Sequence, residues 1–210
     1  MSTGKIQHAA QLLSQSAHFL MLGVLFFATN FATLPLQAQT YTDLHEFDCT
    51  VEGCSPTYPE VLAQGRDGNL YGTLEAGGTA GMGTVFKMTP SGTVTTLYNF
   101  SGADGQNPDG GLVLGTDGNF YGTTTRGGAN NLGTIFKITP SGTLTTLHNL
   151  VASEGANPRG GLVMGKNGSF YGTTCGQFSP WTGFSITSAG KIQTPDQQRA
   201  AVSFLRLDSR

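Results

Sequence analysis

The sequence predicts an all-β fold built of propeller-like blades. Three observations predict it: an internal repeat of fifty residues, two turn signatures inside each repeat, and short runs rich in Thr, Val, Ile, Phe and Tyr around those turns. The repeat is plain at Asp67-Gly68-Asn69-Leu70-Tyr71-Gly72-Thr73, which returns as Asp117 to Thr123 and again as Asn167 to Thr173. A second block keeps the register, Gly83 to Thr93 recurring as Gly133 to Thr143. The third copy, Phe184 to Gly190, aligns with Phe136 onward only if two residues are deleted.

Each unit reads as two β-hairpins. Leu112 to Leu114 and Phe120 to Thr124 flank Asp117-Gly118, a pair that tolerates the positive φ of a tight hairpin. Thr134 to Thr139 and Thr143 to Asn149 flank Pro140-Ser141-Gly142, a type I turn whose Gly can sit left-handed. Phe136 and Ile138 alternate with Lys137 and Thr139, the period of a strand with one face buried. Tyr41 to Phe47 reads as a lone strand of the fourth type, and the total is about three blades, an incomplete or open ring. The expected units lie near 41–100, 101–150 and 151–194.

The unit resembles the GloVer tandem repeat of exported bacterial proteins. The resemblance rests on P-D-G-G-L-V-L-G-T-D-G-N-F-Y-G-T-T and G-T-I-F-K-I-T-P-S-G-T-L-T-T-L, and covers roughly Tyr41 to Thr194. It implies a secreted or surface-displayed repeat protein of propeller-like build, and it offers no catalytic residue to carry over. The chain departs from the family in its few units, its decayed third copy and the lack of a recognisable sorting segment after it.

The flanks read differently. Residues 1–38 resemble a secretory signal: Lys5 is the only charge before an apolar run from Phe19 to Ala32, too short and too interrupted by Thr29 and Asn30 to span a bilayer comfortably. Cleavage after Ala38 takes the net charge from −2 to −3 and leaves no membrane span, whereas a retained N-terminal anchor is the other reading. The expected location is extracellular, on the cell surface or periplasmic. Residues 195–210 lose the repeat. They fit either a capping strand or small helix, or the scar of a chain truncated out of a longer repeat protein with no function of its own. Because closed propellers have four to eight blades, self-association that closes a ring is expected of an intact short chain.

Charge and chemistry narrow the function classes. Eleven Lys and Arg against 13 Asp and Glu argue against a nucleic-acid partner. Cys49 and Cys54, with four residues between them, form either a short local disulfide or two free thiols, and Cys175 is left over. His45 and His148 share a repeat position with Tyr98, so they read as architecture rather than as a base. The linkers around Asp104, Asp109 and Arg159 bring acids, amides and bare backbone together on one rim, and are candidate ligand-binding positions with Trp181, whose alternative is a plug over the third blade. From Asp104 the alternating oxygen ligands of a calcium loop fail at Gln106 and Pro108, and Arg159 replaces Asp109 in the second linker, so no metal and no cofactor is expected. Paired carboxylates for glycoside hydrolysis would have to come from Glu60, Glu75, Asp104, Asp109 or Glu154, with no spacing that sets two of them together. No catalytic residue is assigned. The expectation is a non-enzymatic binding module for an extracellular glycan or protein, with a polysaccharide-acting propeller enzyme as the alternative.

Overall fold

The computed structural model describes residues 42–48, 52, 62–175 and 182–194. Except for Thr42, these belong to one compact unit, Asp43–Arg210. The expected signal segment, the Cys49 and Cys54 pair, Glu60, Trp181 and the tail lie outside the described residues. Among the described residues twelve strands form three four-stranded antiparallel sheets, each a simple up-and-down meander. Blade one is β1 (Ala63–Gln64), β2 (Leu70–Leu74), β3 (Thr84–Met88) and β4 (Val94–Asn99). Blade two is β5 (Val113–Leu114), β6 (Phe120–Thr124), β7 (Thr134–Ile138) and β8 (Leu144–Asn149). Blade three is β9 (Val163–Met164), β10 (Phe170–Thr174), β11 (Thr182–Ile186) and β12 (Ile192–Gln193).

The turns form as the sequence chemistry requires. Asp117 Oδ1 accepts the Asn119 N–H, and Gly118 sits at φ 82° between β5 and β6. Between β7 and β8 the Thr139 N–H donates to the Thr143 carbonyl, and Gly142 sits at φ 93°. The register of blade two, Gly122 opposite Phe136, recurs as Gly172 opposite Phe184, so the two missing residues of the third copy fall in the β10–β11 connection. Gly122 is required there, because a Cβ would stand 2.6 Å from the Phe136 ring that lies across it.

Packing runs from blade to blade. Tyr71, Val85 and Phe100 of blade one bury against Leu112, Phe120, Phe136 and Ile138 of blade two. Tyr121, Ile135 and Leu150 of blade two bury in the same way against Leu162, Phe170, Phe184 and Ile186 of blade three. At the centre of each interface a tyrosine stacks on the next blade's phenylalanine: Tyr71 on Phe120 with centroids 4.1 Å apart, and Tyr121 on Phe170 at 3.9 Å. Each phenol also donates to its own turn, Tyr71 to Asp67 and Tyr121 to Asp117, both at 2.8 Å. In blade three Asn167 replaces the aspartate and the bond reverses, the Asn167 amide donating to the Tyr171 oxygen.

Farther out, β4 and β8 carry a bulge at Leu97 and Leu147, where the register slips between Val85 and Phe86 and between Ile135 and Phe136. The carbonyl of each bulged leucine faces the next blade's glycine turn. A Cβ on Gly142 would stand 2.7 Å from the Leu97 oxygen, and one on Gly190 2.7 Å from that of Leu147. Residues 42–48 pair in no sheet, in contrast to the strand expected there, because among the described residues no third strand lies beside them. They nevertheless take a fourth strand's place: the Leu44 carbonyl faces Gly92, and Phe47 meets Phe86 edge to face at 5.0 Å, as Phe100 meets Phe136 at 5.3 Å.

Tyr121 is fully buried whereas its repeat-mate Tyr171 is 44% exposed. Tyr121→Ala should therefore cost about 3–5 kcal/mol in urea unfolding, and Tyr171→Ala under about 1 kcal/mol. Equal costs would show that the stack between blades is not what makes Tyr121 matter.

Candidate functional site

Two sets of polar side chains occupy the loops between blades, and only one of them repeats. The repeating set is a clasp. Tyr98 near the end of β4 donates to Asp104, and the same carboxylate accepts the Ser101 N–H at 2.9 Å and the Ser101 hydroxyl at 3.0 Å. In the next unit His148 Nε2 lies 2.6 Å from Glu154 Oε2, which also accepts the Val151 N–H at the start of the short 3-10 turn Ala152–Glu154. Ahead of blade one, His45 Nε2 lies 2.7 Å from Glu52, which accepts the Asp48 N–H. The acid's own carbonyl is bonded by a threonine of the following blade: Thr84 to Glu52, Thr134 to Asp104, Thr174 to Glu154. Burial would raise the Asp104 carboxyl, but its bonds from Tyr98 and Ser101 outweigh that and hold it below the usual range; burial, with Asp104 beside it, pushes the Tyr98 phenol up to about 12.

The second set does not repeat, although the asparagines that frame it do. Asn107 and Asn157, both left-handed at φ 53° and 50°, fold each linker back onto the preceding blade. Asn107 bonds the Met82 and Glu75 carbonyls, and Asn157 those of Leu132 and Thr125. Gln106 and Arg126 exchange both backbone hydrogen bonds, which pins the linker against the β6–β7 loop. These bonds bring Glu75, Asp109, Arg126 and Arg159 to one part of the rim. Asp109 Oδ2 accepts the Thr125 hydroxyl at 2.8 Å, while Oδ1 is buried without a well-placed partner. Burial first, and then the charge and acceptor of Asp109, make Glu75 hold its proton above the ordinary glutamate range; the Arg159 and Arg126 charges act the other way. Both arginines are exposed.

The candidate positions therefore separate. Asp109 and Arg159 both act on Glu75 at the rim, whereas Asp104 is held in the clasp and Trp181 lies outside the described residues. Glu75 joins Asp109 across 34 positions, and Arg126 joins them without having been marked by the sequence. Cys175 is a half-buried free thiol at the repeat position of Glu75 and Thr125. Glu154 is buried beside His148, a pairing that a recurring His or Tyr followed by an acid six or seven residues later could have disclosed. Among the described residues no group of three or more His, Cys, Asp or Glu is placed to hold a metal, and no helix is long and apolar enough to cross a membrane.

A family profile described as the Gloeobacter/Verrucomicrobia repeat matches residues 27–200. No curated protein sequence matches the chain. Among solved structures it is similar to a Bacteroides fragilis protein assigned as a 6-phosphogluconolactonase, at 19% identity and a TM-score of 0.42. That match covers 60% of this chain and 35% of the other, so the chain spans about a third of that structure's length.

A carboxyl that binds its proton more tightly when folded stabilises the fold below its unfolded value, and this contribution is lost as pH rises through the raised one. Glu75→Gln removes that loss. The variant's stability in urea, relative to the parent, should improve as pH rises from the acid range to neutrality. A difference that does not change with pH would separate Glu75 from Asp109. Asp117 runs the other way: burial raises its carboxyl, bonds from Asn119 and Tyr121 outweigh that and lower it, and its contribution is lost on acidification.

Proposed function

We infer that this chain, which belongs to the Gloeobacter/Verrucomicrobia repeat family, is an exported, non-enzymatic binding module that holds an extracellular glycan or protein on the loop rim of its blades. One observation carries the reading: positions at which the repeats differ converge. Glu75 and Thr125 are repeat-mates, as are Asp109 and Arg159; the linker asparagines bond the Glu75 and Thr125 carbonyls, Thr125 bonds Asp109, and the charges of Asp109, Arg159 and Arg126 reach Glu75. Repeated acids serve the blades, Asp67 and Asp117 in turns and Asp104 and Glu154 in clasps. The unrepeated ones, Glu75 and Asp109, stand in the loops, where a rigid scaffold usually carries recognition. Exposed guanidiniums beside carboxylates offer both donors and acceptors to a hydroxyl-rich or mixed-charge surface. The leader-like residues 1–38 support export.

The Glu75 and Asp109 pair favours a second reading, a polysaccharide-acting enzyme in which Glu75, held above the ordinary glutamate range, lends a proton and Asp109 is the second carboxyl. A panel of glycans and cell-wall polymers decides between them. Binding without turnover, weakened about tenfold by Arg159→Ala or Asp109→Asn as expected for one lost charge-assisted bond, supports the module. Turnover abolished by Glu75→Gln supports the enzyme. No retention of any polymer or surface protein by the folded chain would contradict both.

A further inference from the structure

The two ends of the blade series carry exposed apolar positions that are repeat-mates of buried ones. Of five exposed large apolar residues among those described, Leu44 and Leu62 lie at the start and Val163 and Tyr171 on blade three. Leu62 is 37% exposed, yet Leu112 and Leu162, at its position in the next units, are 6% exposed because a preceding blade covers them. Tyr171 is 44% exposed, yet Tyr71 and Tyr121 are fully buried because a following blade covers them. Each end thus shows one half of an interface that the chain builds twice within itself.

The outer strands complement each other as well. Residues 43–48 and Glu52 make the contacts of a fourth strand and its clasp on blade one: Leu44 against Gly92, Phe47 against Phe86, His45 on Glu52, and Thr84 on the Glu52 carbonyl. Strands one to three that would precede that segment are absent among the described residues. Blade three has the reverse composition. Its first three strands are in place, but among the described residues β12 runs for two residues where β4 and β8 run for six. Counted from Ile192, which pairs with Ile186 as Leu144 pairs with Ile138, the sequence puts Pro195 at the place of Leu147, Asp196 at that of His148 and Gln198 at that of Leu150. Leu44, His45 and Phe47 carry the residue types missing there. Gly183 also replaces Val85 and Ile135, which leaves an open hollow of about 340 Å³ beside Tyr171 and Phe184.

We propose that the open face of blade three receives the start of a second copy of this chain, with Tyr171 and Val163 covering the second copy's Leu62 and its residues 44–48 continuing the edge of β11 beyond β12. The contact is head to tail and reuses the interface seen between blades one and two. Joined reciprocally, two copies make six blades, within the range of closed propellers.

The test is light scattering on the full chain, with Ala129→Asp, on an exposed loop of blade two, as the charge control. Tyr171→Asp and Leu62→Asp should each reduce the assembly to single copies while leaving the β-sheet circular dichroism unchanged. Mixed one to one, the two variants should recover a dimer, because each retains the face that the other has lost. Val163→Asp replaces Tyr171→Asp if the latter fails the dichroism check. A parent that runs as a single copy overturns the proposal. So does a Leu62→Asp chain that stays assembled, the mark of two blade-three faces meeting each other, or a mixture that does not associate.

Discussion

A four-stranded sheet with apolar side chains on both faces cannot stay folded by itself in water, so each blade depends on the next to cover it. The interaction that brings this about is the tyrosine of the second strand. Its ring lies on the following blade's phenylalanine, and its hydroxyl reaches back to the aspartate of its own first turn. One side chain thus ties a local turn to a non-local interface. The phenol answers to its surroundings: burial, with Asp67 beside it, pushes Tyr71 up to about 12. Its ionisation is therefore suppressed at any physiological pH, and the oxygen remains a donor.

Other features accompany that stack. Where the rings meet, the sheets lie face to face, and the bulged leucine carbonyl of one blade stands against the next blade's glycine turn, while within each blade the phenylalanine of the third strand lies across a glycine. A Cβ at Gly122 would collide with the Phe136 ring of its own blade and one at Gly142 with the Leu97 carbonyl of the preceding blade, so the glycine content of the repeat reflects close packing both within and between blades. The threonines that bond the preceding clasp's carbonyl close the same interface at its polar end.

Strands and turns were legible in the sequence because their chemistry is local. Asp117-Gly118 and Pro140-Ser141-Gly142 state their own φ requirements, and Phe136 to Thr139 alternate visibly. The tyrosine bond to the turn was legible in principle, since aspartate or asparagine precedes tyrosine by four residues in all three copies. The clasp left a fainter signal, a His or Tyr followed by an acid: Tyr98 to Asp104 and His148 to Glu154 span six positions, His45 to Glu52 seven, and the acid changes type. Glu75 and Asp109 were both candidate carboxylates, but their meeting was not legible. They come from different units, and only the folding back of the Asn107 linker brings them together. Sequence repetition reveals what is equivalent and is silent about where the differences meet.

That division also orders the chemistry. Repeated polar groups are consumed by the blades, and the mixed-charge rim around Asp109 is assembled from departures between copies. The central claim is that stacked rings couple one blade to the next, and a double-mutant cycle on Tyr121 and Phe170 tests it most directly. With Tyr121→Leu, Phe170→Leu and the double variant compared by urea unfolding, a coupling of about 0.5–1.5 kcal/mol is expected of an aromatic pair in contact. Costs that simply add, with no coupling, would contradict it.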